Sequence, residues 1–440
     1  MLRRFPFLFL VMFLFAGSAL AAEPTGMAQR VTQGLHSLYP ELDALYQQLH
    51  QTPELSTQEA KTAAKMAERL SALGFTVTQK VGGHGVVGVL RNGSGPTVML
   101  RTDLDGLPVE EKTGLPYASK ATAKDASGQT VPVMHACGHD VHMTAWVGAA
   151  TLLARSKDQW RGTLVMVGQP AEEQGSGARA MLADGLFKRF PKPDFALAIH
   201  DLATGEAGTV EYVPEYALAS VDSVDVTLYG KGGHGAYPHL TVDPILLAAR
   251  TVMAFQTIVS RERDPLEPAV VTVGSIHGGT KHNIIPDEVK LQLTVRSYKP
   301  EVRQRILSAI ERIAKAESQA AGSPRAPDIA VTEGTPATYN DPVLMKRVQE
   351  ALVRALGAQN VRLGKPTMGG EDFSEYGRAG VPSAMVWVGA VEPSKYQEAQ
   401  KSGVALPSLH SPLFAPDRER TLRTGVTTLT HAALELLGRP

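Results

Sequence analysis

The 440-residue sequence predicts an α/β protein in two parts: a discontinuous α/β catalytic domain with a mixed, mainly parallel sheet, and an inserted ferredoxin-like βαββαβ satellite domain. Three observations predict it. Helical patterns alternate with continuous apolar runs over the first half, as in a sheet covered on both faces. Near residue 214 the strands switch to alternating apolar and polar side chains, as in a half-exposed sheet. From about Pro336 the α/β character returns. The expected division is 1–21 as an export signal, 22–213 with 335–440 as the catalytic domain, and 214–334 as the satellite domain. The length exceeds one ordinary core and suits two.

Taken in order, Arg3 and Arg4 precede an apolar run from Phe5 to Phe15, and Ala19-Leu20-Ala21 fits a processing site. This predicts an exported protein, periplasmic or secreted. The run is about half of the ~20 apolar residues that span a bilayer, which weighs against an anchor. Leu38, Leu42, Leu45 and Leu49 then recur at helical spacing. Ser56 and Glu59 form a capping-box pattern for a second helix running to about Leu73, with Gly74 placed to stop it. Strands follow at Val86–Leu90 and Val98–Arg101, a helix from near Asp140, and strands at Thr163–Val167 and Phe195–Ile199. The inserted unit reads as a strand at Val221–Leu228 and a helix capped by Asp243 with Pro244 at its first position. Two strands come next (Ala269–Ile276, Val289–Val295), then a helix with Val302, Ile306, Ile310 and Ile313 on one face, then a short strand at Ile329–Val331. A strand at Ala384–Val388 and a final helix complete the chain.

Composition narrows the function. Lys plus Arg equals Asp plus Glu at 44 each, so no global field draws the chain to nucleic acid or anionic lipid. Cys137 is the only cysteine, which rules out an internal disulfide and leaves a buried filler, an intermolecular link or a ligand.

The polar residues of interest gather where strands end, and ligand sites in open α/β sheets form beyond the carboxyl ends of strands. Asp103 and Asp105 follow one strand, Glu172 and Glu173 another, and His200 is expected to terminate a third. Cys137-Gly138-His139 can turn a thiol and an imidazole toward one ion, although a buried structural cysteine is the more ordinary reading of those residues alone. His142 fits either the core or the role of an outer partner to a ligating imidazole. Glu172-Glu173 is either a solvated acidic pair or two carboxylates with split roles, one on metal and one moving protons. His410 lies in a proline-bounded loop, and glycines around His234 let the backbone approach a ligand closely.

Together, Cys137-Gly138-His139-Asp140-Val141-His142, Glu172-Glu173, Gly233-His234-Gly235-Ala236-Tyr237-Pro238-His239, His282-Asn283-Ile284-Ile285-Pro286 and Gly369-Gly370-Glu371-Asp372-Phe373 resemble the M20 metallopeptidase/amidohydrolase family, in its N-acyl-amino-acid amidohydrolase branch of hippurate and auxin-conjugate hydrolases. The resemblance spans essentially the whole chain after the signal. It implies two divalent ions per subunit, zinc or manganese with cobalt tolerated, held by Cys137, His139, Glu173, His200 and His410, with Cys137 bridging. It implies Glu172 as general base, taking a proton from the attacking water and passing one to the leaving amine. His234 would reach the active site of the other subunit of a homodimer joined through the satellite domain and there polarise the scissile carbonyl. Asn283 and Arg296 would hold the substrate carboxylate or help support the oxyanion, Gly369 and Gly370 would line the pocket, and Asp103, Asp105 and His142 would support the ligands from behind. The substrate implied is a small N-acyl or N-aroyl amino acid, cleaved to a carboxylic acid and a free amino acid. A dipeptidase or carboxypeptidase, an inactive relative serving as a binding protein, and a thiol redox protein are the alternatives; the last lacks a resolving cysteine. Asp201 departs from the branch, which commonly carries a hydrophobic residue there.

Overall fold

The computed structural model describes residues 26–439, so the expected signal lies outside the described residues. The first helix, α1 (Gly26–Gln51), buries Leu38, Leu42, Leu45 and Leu49 as their spacing predicts. The second, α2 (Ala60–Ala72), stops before Gly74, whose φ of +83° suits only a residue without a Cβ. The Ser56/Glu59 capping box does not form. Ser56 Oγ donates to Asp105 Oδ2 at 2.6 Å, and Glu59 Oε1 accepts the N–H groups of Thr57 and Ala171, each at 2.8 Å. Charge-assisted bonds to buried groups outcompete a cap at a helix end.

The chain continues through β1 (Thr76–Val81), β2 (Gly85–Asn92), β3 (Thr97–Asp103), α3 (His139–Arg155), β4 (Gly162–Gln169), β5 (Phe195–Glu206) and β6 (Val210–Tyr212). The satellite follows as β7 (Ser220–Tyr229), α4 (Pro244–Thr257), β8 (Ala269–His277), β9 (Glu288–Ser297), α5 (Pro300–Ala320) and β10 (Asp328–Glu333). The chain then adds β11 (Val361–Leu363), β12 (Ser383–Val391) and α6 (Arg418–Leu436).

The larger sheet has the order β1-β2-β4-β3-β5-β12-β6-β11. Its centre, β4 to β12, is parallel, and antiparallel pairings flank it. One face packs Leu100, Leu197 and Val386 against Leu42, Trp146 and Val426; the other packs Val165, Ala198 and Met385 against Met181, Phe373 and Tyr376. Both faces are covered, which is why its central strands read as unbroken apolar runs. β5 does not stop at Ile199: β12 pairs beside it through Leu202 and rejoins it at Glu206, so His200 is a mid-strand residue.

The smaller sheet runs β8-β9-β7-β10 with every neighbour antiparallel, the order expected of a βαββαβ unit. Val224, Val226 and Leu228 on β7 face Leu247, Phe255, Ile306 and Ile310 of α4 and α5, while Ser223 and Asp225 are exposed. Asp243 caps α4, accepting the Ile245 N–H at 2.8 Å. No described helix is long and apolar enough to cross a membrane.

Candidate active site

The site begins at the C-terminal ends of β3 and β4 and the middle of β5. Gly138 precedes α3 with φ +80°, and a Cβ there would meet Asp201 Oδ2 at 2.3 Å. Only glycine permits this turn, which brings Cys137 and His139 to the same side. The His410 N–H donates to Ala136 O at 2.8 Å, fastening the distant His410 loop beside Cys137, and His410 itself takes φ +64°.

Two groups of donor atoms result, in each of which all atoms lie within 4.8 Å of one another: Cys137 with His139 and His200, and Cys137 with Glu173 and His410. The thiol is common to both. His139 and Glu173 also form such a group with Glu172.

The ring nitrogens are oriented for the same purpose. His139 Nδ1 donates to the carbonyl of Asp105 at 2.8 Å and His200 Nδ1 to the carbonyl of Asp201 at 2.9 Å. A carbonyl only accepts, so each ring in its neutral form carries its lone pair on Nε2; Cys137 Sγ lies 3.6 Å from His200 Nε2. His139 Nε2 and Glu173 Oε1 are buried without a hydrogen-bond partner. Buried donor atoms left unmatched, with imidazole, thiol and carboxylate chemistry, fit a pair of borderline-soft divalent cations.

The acidic groups show why a cation belongs there. Burial, then the neighbouring Glu371 and Glu173 carboxylates, holds the proton on Glu172 far above the ordinary carboxyl range. Burial also raises Glu173 to about 7. Burial pushes the Cys137 thiol up as well. On His139 burial opposes the charge, but Asp103, Asp105 and Cys137 outweigh it and keep the ring protonated. A divalent cation inverts each of these preferences, deprotonating the thiol and the imidazole and offsetting the repulsion among carboxylates.

Asp105 shapes the base. Its carboxylate accepts the N–H of Glu172 at 3.2 Å and that of Glu173 at 3.0 Å, so the turn carrying both glutamates is pinned from below. Asp103 accepts from His142 Nδ1 at 2.8 Å and from Arg101 Nη1 at 2.8 Å.

Local pattern did not reveal Arg101 as part of the site. Its guanidinium is fully buried and also reaches Gln169 Oε1 at 3.0 Å, Glu371 Oε1 at 2.8 Å and Asp372 Oδ1 at 3.1 Å. It ties β3 to the Gly369-Gly370-Glu371-Asp372 loop. The only local hint was a charged residue inside an apolar strand. Asp201 is another: fully buried, with neither carboxylate oxygen hydrogen-bonded, and held protonated by burial.

A cavity of about 630 Å³ opens from Cys137, Glu172, Glu173, His200 and His410 toward the satellite, where it meets Arg296, Gly369 and Gly370. Arg296 Nε donates to Thr294 Oγ1 at 3.1 Å and Nη1 to Met368 O at 3.3 Å. Among the described residues no carboxylate pairs with it. Gly370 packs so closely that a Cβ would sit 2.4 Å from Val221 Cγ2 and 3.7 Å from Arg296 Nη1.

Two expected site residues stand apart. His234 and Asn283 do not line this cavity. They are exposed neighbours, since Gly233-His234 pairs with Ile284-Ile285 and the Gly235 N–H donates to Asn283 O at 2.9 Å. The expected partnership of Asn283 with Arg296 therefore does not occur within one chain, because the short β-pairing carries Asn283 out with His234.

Known proteins with similar sequences bear on this geometry. The profile of peptidase family M20/M25/M40 matches residues 99–409. N-acetyl-L-cysteine deacetylase of Bacillus subtilis is 38% identical over 347 residues, covering 78% of this chain and 79% of its own. Hippurate hydrolase of Campylobacter jejuni is 36% identical over 340 residues, covering 76% and 85%. Among solved structures, a dinuclear metal binding peptidase from Bacillus subtilis aligns with a TM-score of 0.74 at 27% identity, covering 91% of this chain and 100% of that one.

Proposed function

The chain belongs to peptidase family M20/M25/M40, and from that premise we propose that it is an exported, metal-dependent amidohydrolase that cleaves N-acyl or N-aroyl amino acids to a carboxylic acid and a free amino acid. One observation carries the reading: two donor groups sharing Cys137 adjoin the buried Glu172 in a cavity that is also lined by Arg296. The small-molecule activities named for the deacetylase and hippurate hydrolase relatives point the same way.

On this reading Cys137, His139, Glu173, His200 and His410 hold two divalent ions, zinc or manganese. When bound, such ions polarise a carbonyl and lower the pKa of an attacking water toward about 7. Glu172 accepts the water's proton at a carboxylate oxygen and returns one to the departing amine nitrogen. The pinning of its backbone by Asp105 keeps that oxygen in place through both transfers. Arg296 binds the substrate carboxylate, and Gly370 lets its loop pack against Val221 beside that guanidinium. Export rests on Arg3, Arg4 and the apolar run after them, and the satellite division at 214–334 on the change of pattern there.

His234 and Asn283 serve the other subunit's site in a homodimer. The surface around them supports this: Tyr237, Leu240, Ile245, Leu246 and Ile284 are all large, apolar and exposed. A second reading, hydrolysis of dipeptides, has the peptidase among the solved relatives in its favour.

The test is elemental analysis of purified enzyme together with a panel of acylated amino acids and dipeptides. The proposal expects bound transition metal, release of amino acid from the acylated series, loss of turnover on chelation and its return with zinc or manganese. Turnover that persists in metal-free, chelated protein overturns it, and cleavage confined to dipeptides favours the second reading.

A further inference from the structure

Both units line the cavity. The satellite supplies a cation, Arg296, and the larger unit supplies, beside the donor atoms, the apolar side chains of Leu202, Trp387 and Leu409. β5 and β12 run parallel with Trp387 in register with His200. Registered neighbours project from the same face of a sheet, and so do alternate residues of one strand. Trp387, His200 and Leu202 therefore stand together, and all three line the cavity with Leu409, the residue before His410.

The tryptophans divide sharply. Trp146 and Trp160 are fully buried, and their indole N–H groups donate to Leu100 O at 2.9 Å and Leu153 O at 3.0 Å. Trp387 is half-buried, backed by the core around Phe373 and Tyr376 and open to the cavity in front. A large aromatic surface backed by packed side chains is rigid, and it costs little ordering when it binds another ring.

We infer that Trp387 is the specificity-determining residue for the acyl group: the substrate lies with its carboxylate at Arg296 and its acyl group against the indole, beside Leu202 and Leu409. The inference rests on the amidohydrolase reading and adds the direction in which the substrate lies. A flat aromatic acyl group covers the indole, whereas an acetyl group leaves most of it wet.

The experiment compares kcat/KM for N-benzoyl and N-acetyl forms of one amino acid in wild type, Trp387→Ala and Trp387→Phe. The benzoyl-to-acetyl ratio is expected to fall about tenfold or more in Trp387→Ala, the scale of losing a large apolar contact from a binding pocket. Trp387→Phe keeps a ring and is expected to retain most of the ratio. A parallel comparison of benzoylglycine with benzoylphenylalanine reads the other end of the substrate and is expected to keep its ratio. If both acyl forms lose rate equally in Trp387→Ala, or if the amino-acid preference shifts instead, the inference is overturned. Should wild type hydrolyse no acylated amino acid at all, the amidohydrolase reading itself has failed, which is a separate result.

Discussion

His142 Nε2 accepts the backbone N–H of Asp201 at 2.8 Å, and that bond removes His142 from competition for a cation. With Nε2 occupied, the proton sits on Nδ1 and is donated to Asp103, so the ring acts on the site only through that carboxylate. Burial, against the pull of Asp103, holds the imidazole neutral with a pKa of about 4. Asp103, His139 and His142 do lie close enough to count as a donor group, but Asp103 is already committed to Arg101 and His142, and His142 to Asp103 and the Asp201 N–H, which leaves only His139 Nε2 free.

Asp103→Asn is expected to weaken metal binding about 10–100-fold, the usual effect of losing an outer partner of a ligand set. Competition with a chelator of known affinity measures it. Unchanged affinity would show that Asp103 supports the fold alone.

Glu172→Gln is expected to retain the metal content of wild type and to lose ~10²–10⁴ in kcat, the contribution of a positioned proton carrier. Elemental analysis and steady-state rates on the same preparation check both halves. A variant at wild-type rate would dismiss Glu172 as the base.

Arg101→Met leaves Asp103, Glu371 and Asp372 buried without their cation. Removing one partner of such a network costs about 3–5 kcal/mol. Urea unfolding of the metal-free protein should register that loss, with Arg101→Lys recovering part of it.

His50 is a buried imidazole 2.6 Å from Asp140 and 3.1 Å from Glu111. Burial lowers its pKa, but bonds to the two carboxylates outweigh this and raise it from 6.5 to about 10. A folded-state pKa above the unfolded value means the stabilisation is complete below about pH 6.5 and lost as the pH climbs toward about 10. The melting temperature of wild type should therefore fall across that window more steeply than that of His50→Gln.

Subunits carrying Glu172→Gln and subunits carrying His234→Ala should each be nearly inert, yet recover activity when mixed and allowed to exchange. Random pairing into dimers with shared sites restores about a quarter of the sites. No recovery, despite heterodimers seen by tagged co-purification, would place His234 in its own subunit's site.

Much of this was legible along the chain because it is local. Period and capping located α1 and α4, and an unbroken apolar run marked β3 as a strand buried on both faces. Cys137-Gly138-His139 and Glu172-Glu173 advertised their chemistry through residue type and spacing. Other readings failed where a distant partner intervened. Ser56 and Glu59 carry the signature of a helix cap but are drawn to Asp105 and to the N–H of Ala171. His200 looked like a strand end because β12, which extends its strand, arrives 187 residues later in register, at Ser383 with Ala196 and at Trp387 with His200.

The sequence by itself determined the two layered units, the donor types and the family. Tertiary structure decided which donors share Cys137, which histidine is already spent on Asp201, that Arg101 bridges Asp103 to Glu371, and that Asn283 travels with His234 rather than Arg296. The reason is physical: hydrophobic period and caps follow from neighbours within a turn or a pleat, whereas a hydrogen bond or a ligand set depends on distances that only packing imposes.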